Sequence, residues 1–156
     1  MTFSLKFAAP VFAVCSMLAA PTIADGALEK AIGARKAQMQ LYAFNLGQLG
    51  AMAKGKVDYD AKAAKAAADN LVVLSSMSGG AMWPQGSDST AMPGKTRAKV
   101  EAWTTYPASA KAGEALTVAA TNLAAVAGDG LDSLRGAIGD VGKSCGGCHK
   151  PFREEE

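Results

Sequence analysis

The chain has 156 residues, 49% of them apolar and 19% charged, and its sixteen basic against fourteen acidic residues leave a formal charge of +2. That length suits one domain, and the near balance of charge excludes a nucleic-acid binder working by counterion release. Aromatics at 6% and alanine in every segment favour packed helices over a sandwich or barrel, so composition reads as all-α.

Residues 1–24 read as a signal peptide. Lys6 precedes an apolar stretch from Phe7 to Ala20, and Thr22 and Ala24 supply the small residues wanted before a cut after Ala24. The apolar stretch is shorter than the roughly 20 residues of a spanning helix. Cys15 lies inside it and leaves with the leader, and nothing later in the chain reads as membrane-bound.

The first mature helix follows from Leu28, Ile32, Arg35, Met39, Tyr42, Leu46 and Leu49, which step by four and three as an a/d stripe. Gly55 supplies a stop, and Asp58 or Asp60 can cap a second helix carrying Ala61, Ala64, Ala68, Leu71, Leu74 and Met77. From Ser78 to Gly94, glycine, proline and serine predict a long loop pinned by Trp83. A short helical turn follows around Thr96 to Trp103. Pro107 fits the first turn of a third long helix ending at Gly128, and Asp129 begins the next start signal. The last helix carries Leu131, Leu134, Ile138, Val141, Cys145, Cys148 and Phe152 on one stripe. Four amphipathic segments with one long crossover predict an antiparallel four-helix bundle.

The last stripe ends in Cys145-Gly146-Gly147-Cys148-His149, the C-x-x-C-H pattern of covalent haem attachment, and His149 is the one histidine of the chain. Thiols three residues apart share a helix face and can reach one porphyrin edge, while the adjacent imidazole can turn to the iron. The two intervening glycines suit close approach of a macrocycle. Three other readings compete. A thioredoxin-like site wants a βαβ setting, zinc wants a fourth ligand, and a plain disulfide leaves His149 without a role. The motif in an exported all-helical chain favours one covalent haem c.

With the motif at the carboxyl end of four helices, the sequence resembles the class II c-type cytochromes, the cytochrome c′ and cytochrome c556 family. The resemblance spans the mature chain. It is carried by Arg35 and Met39, Ala53-Lys54-Gly55-Lys56, Trp83-Pro84, Ala125 to Asp132, Gly139-Asp140-Val141-Gly142, and Cys145 to His149 with Phe152-Arg153. It implies that Met39 faces the open side of the haem, where members place either a coordinating methionine or an apolar cover. With His149 spent, the sixth ligand can be a methionine, a lysine, water or nothing, and Met39 is the one methionine centred on an expected core stripe. Arg35 lies one turn earlier on that stripe, where burying an unpaired charge is costly unless a haem propionate meets it. The resemblance also places Arg153 beside the proximal ligand. Pro151 is expected to end regular hydrogen bonding near His149.

Two functions share this site: a periplasmic electron carrier working with redox protein partners, and a five-coordinate protein binding nitric oxide or carbon monoxide. No residue set suggests an enzyme. The alanine face of the second helix and the apolar stripe of the first suit a homodimer, as the family implies.

Overall fold

The structure, a computed structural model, describes residues 23–155. The expected leader and Cys15 lie outside the described residues, apart from Ile23 and Ala24 at the leader's end. The elements are α1 (Ile23–Ala53), α2 (Ala61–Ser76), a 3₁₀ turn at Gly80–Met82, a short α3 (Glu101–Thr104), α4 (Tyr106–Val126) and α5 (Leu131–Phe152). The four long helices form the expected bundle, with the α2–α4 connection as its crossover.

Local chemistry sets the boundaries. Beyond α1, Gly55 takes φ +66°, while its N–H bonds to Met52 O and that of Lys56 to Ala51 O, a Schellman closure that needs a residue without Cβ strain. Of the two aspartates expected to cap α2, Asp60 does so, accepting Ala63 N–H at 2.8 Å. Pro107 lies in the first turn of α4. The start of α5 differs from expectation: Gly130, at φ +122°, is the N-cap in place of Asp129. The Gly130 N–H donates to Tyr59 Oη, whose hydroxyl donates to Ala127 O, so one phenol ties the α1–α2 turn to the α4–α5 turn.

The core joins Leu49 and Met52 of α1, Ala64, Ala68 and Leu71 of α2, Ala120 and Leu123 of α4, and Leu134 and Val141 of α5. The α5 stripe therefore falls where its spacing predicts. The α1 stripe does not. Its inward positions run through Ile32, Arg35, Gln38, Tyr42, Asn45, Leu49 and Met52, so the step after Arg35 is three rather than four. Gln38 donates to Leu74 O at 2.9 Å, and Asn45 meets Asn70 at 3.0 Å. Met39 is consequently turned outward at 37% exposure, and Met52, expected off the stripe, is in the core at 4%. Two polar residues take inward positions because each finds a partner on α2.

Helices α1 and α5 run antiparallel, as two contacts show. Arg135 Nε donates to Ala53 O at 2.8 Å, and Tyr42 lies within electrostatic reach of Cys145. Leu46 and Gly50 of α1, with Ile138 and Gly142 of α5, line the groove between these points. Continuing that register toward the other end sets Met39 at the level of His149 and Arg35 at the level of Arg153.

Candidate functional site

Cys145 and Cys148 lie half-buried on the inward side of α5, and neither is disulfide-bonded. Burial pushes both thiols up, so they stay protonated at neutral pH. Burial also lowers His149, as do the positive charges of Arg153 and Arg97, which favours the neutral imidazole, with one ring nitrogen free to donate to a metal. Among the described residues no group of three or more His, Cys, Asp or Glu side chains converges as an all-protein metal site.

A porphyrin fits these residues. The thiols sit one helical turn apart on one face, and a Cβ built at Gly142, Gly146 or Gly147 would meet nothing within 4 Å. The α5 wall is thus flat around the attachment points. Across from it, Tyr42 is pushed up to about 12, first by burial and then by Cys145, so its phenol stays neutral beside the thiol. Met39, one turn along α1 from Tyr42, lies outside the packed core.

Arg35 is buried, at 4% exposure. Its Nη1 donates to Met82 O and Ser87 Oγ, and its Nη2 to Ser87 O at 2.9 Å and Thr96 Oγ1 at 3.0 Å. The guanidinium also lies 4.4 Å from the Trp83 ring centre and 5.7 Å from that of Trp103. The two indoles meet at 5.6 Å, and Trp103 Nε1 donates to Trp83 O. Trp83 pins the long loop as expected, but through Arg35 and a second tryptophan. The cage lowers the cost of burying the cation by supplying four acceptors and two aromatic faces.

The C-terminal end departs from expectation. Pro151 lies within α5, which continues to Phe152, and Arg153 N–H closes a 3.0 Å bond to His149 O. Proline there forfeits its own N–H bond and crowds the Gly147 carbonyl four residues back, but its fixed φ is already helical and only Phe152 follows it in the helix. The tail is then held by the loop. Ala98 and Arg153 form an antiparallel bridge, Lys99 N–H donates to Phe152 O, and Glu154 N–H donates to Arg97 O. This clamp brings Arg97 within electrostatic reach of His149, a placement that sequence spacing did not disclose.

Known proteins are similar to this chain in sequence and fold. A family profile described as Cytochrome C′ matches residues 30–153. Cytochrome c-554 of Cereibacter sphaeroides is 36% identical over 149 residues, covering 90% of this chain and 93% of its own. The solved cytochrome c′ from Rhodobacter spheriodes superposes with a TM-score of 0.80 at 36% identity, over 83% of this chain and 98% of that one. A ferrous variant of cytochrome c prime from Alcaligenes xylosoxidans, solved with bound NO, gives a TM-score of 0.72 at 30% identity, over 83% and 97% of the two chains.

Proposed function

Because this chain belongs to the cytochrome c′ family, and with it is an electron-carrying cytochrome holding one covalent haem c, we propose that Cys145 and Cys148 anchor the haem, His149 is its proximal ligand and Met39 its distal ligand. What supports this reading is the haem-attachment motif at the end of α5, together with an α1–α5 register that, extended one turn beyond Tyr42 and Cys145, brings Met39 level with His149. The bound haem supplies a single-electron couple between ferric and ferrous iron. The chain's residues hold it: two thioethers fix the plane, the neutral imidazole donates to the metal, and Arg153 stands beside that ligand. Arg35, one turn before Met39, gives its Nη hydrogens to the loop cage, so the propionate contact proposed for it would fall to Nε–H. No substrate turnover belongs to this reading.

The site of action proposed is the periplasm, after removal of residues 1–24, with redox proteins as partners. Among the described residues no helix is long and apolar enough to cross a membrane. The alanine face of α2 is buried against α4 and cannot pair two subunits, so a homodimer would use the exposed apolar residues of the α1–α2 face. Leu41 lies between Gln38 and Asn45, which bond to Leu74 and Asn70, so exposed Leu41 and Phe44 border the same seam as exposed Val73 and Met77.

Absorption and EPR spectra of the purified ferric protein test the ligand set. Low-spin iron with a methionine-to-iron charge-transfer band is expected, and Met39→Ala should lose the band and turn the iron high-spin. A high-spin wild type indifferent to Met39→Ala would overturn methionine ligation. It would instead support a second reading, a five-coordinate protein that binds nitric oxide or carbon monoxide at the open face. That alternative is favoured by the nitric oxide held in the Alcaligenes relative.

A further inference from the structure

His149 sits in the last turn of α5, and that turn is short of hydrogen bonds of its own. Pro151 has no N–H to give, and the helix closes with Arg153 N–H on His149 O at 3.0 Å. A helix end so sparsely bonded frays unless something outside the helix holds it. The crossover loop supplies that hold. Lys99 N–H donates to Phe152 O and Glu154 N–H donates to Arg97 O, each at 2.9 Å, on either side of the Ala98–Arg153 bridge. Ser89 ties both strands of this clamp together. Its N–H donates to Ala98 O at 2.7 Å, and its hydroxyl donates to the Glu154 carboxylate at 2.6 Å. The loop strand is itself anchored, because Thr96 Oγ1 accepts from buried Arg35 at 3.0 Å and from Ala98 N–H at 3.1 Å.

We propose that Ser89 is a positioning residue for the proximal ligand, holding the last turn of α5, and with it the His149 imidazole, by way of the tail. This rests on the haem ligation proposed above. The bond from Ser89 to Glu154 joins loop and tail through side chains alone, so it can be removed while the main-chain pairing is left free to form. Its acceptor is ionised, which makes it stronger than a neutral bond of the same length. An imidazole on a held turn keeps one orientation about its bond to a metal, and on a loosened turn it samples several. Groups outside the ligand set commonly fix the ring of a metal-binding histidine in this way.

Haem-loaded wild type, Ser89→Ala, Ser89→Thr and Glu154→Ala are compared by amide hydrogen exchange in the C-terminal segment and by EPR of the ferric protein. Loss of a hydrogen bond to a charged acceptor should speed exchange of the Lys99 amide ~10-fold in both alanine forms. The ferric signal should broaden in both, because the imidazole then takes a range of orientations. Ser89→Thr keeps the hydroxyl and should match wild type in the two measurements. Unchanged exchange in Ser89→Ala overturns the proposal. So does faster exchange with an EPR signal identical to wild type, since the latch would then hold the tail without positioning the ligand. A threonine form that behaves like the alanine form overturns it too. His149 is the one histidine of the chain, so histidine labelled with nitrogen-15 reports ligation separately. Pulsed EPR of the wild type without a coupling from that label sinks the ligation reading and this inference with it. A coupling present in wild type and identical in Ser89→Ala, with no broadening, sinks this inference alone.

Discussion

The bundle has two seams built from small residues, and they behave oppositely. Between α2 and α4, Ala64, Ala67 and Ala68 meet Ala120, Leu123 and Ala124, all buried, and Thr117 Oγ1 reaches across to Ser75 O at 3.1 Å. Between α1 and α5, Gly47 and Gly50 face Ile138 and Gly142 across a groove of about 840 Å³. An alanine methyl gives a neighbouring helix something to touch, so helices close on it. A glycine gives nothing, and the glycines of the α1–α5 walls have no neighbour within 4 Å of where a Cβ would be. The first seam holds the fold together, and the second stays open along α1 and α5 up to Gly142, one turn before Cys145, without reaching the thiols or the imidazole.

The contrast between the seams breaks most readily at Leu123, fully buried where α4 meets its neighbours. Leu123→Ala should lower stability by ~2–5 kcal/mol, the range for a cavity in a core that relaxes only partly. Urea unfolding of the haem-loaded protein measures it. A loss under ~1 kcal/mol would mean that the alanine seam is not what secures the bundle.

The same contrast explains what could be read in advance. Helix number, the crossover, the Gly55 stop and the α5 stripe were all legible, because each depends on local propensity or on apolar spacing within one segment. The thiols and His149 form a contiguous pattern and were legible for the same reason. The α1 stripe was misread at two positions because Gln38 and Asn45 are polar, and their inward places depend on Leu74 and Asn70 of another helix. That error turned Met39 into a core residue and Met52 into a surface one. Arg97 was missed altogether, since a bridge between residues 97–99 and the tail is main-chain pairing that no side-chain pattern encodes. Arg35 was recognised as a costly buried charge, but its partners lie in a loop whose path the sequence leaves open.

A smaller effect is expected at Tyr42, on the open seam. Its phenol is raised from the ordinary 10 to about 12, by burial first and by Cys145 second. A raised value in the folded state means that the neutral phenol supports the fold. Its contribution is complete below about pH 10, the unfolded value, and is lost as pH climbs through about 12. Because the ring is only half-buried, solvent screens part of the effect. Thermal midpoints of wild type and Tyr42→Phe followed across that alkaline window should show a shallower decline in the variant. Parallel declines would mean that the phenol does not respond to its place against α5.

The smallest effect should have the opposite sign. Gly136 follows Arg135 on the wall of α5, is exposed, and a Cβ there would meet nothing within 4 Å. Alanine removes backbone freedom from the unfolded chain and favours the helix without displacing a neighbour, so Gly136→Ala should stabilise by ~0.5–1 kcal/mol. At Leu123 removing methyl groups costs contacts, whereas at Gly136 adding one costs none, and the two measurements together separate packing in the α2–α4 seam from helix propensity on the exposed face of α5. Urea midpoints at unchanged slope would show the gain. A loss of stability at Gly136→Ala would mean that the α5 wall is closed by contact with another part of the protein or a second copy of it, and that its openness is not a property of the folded chain.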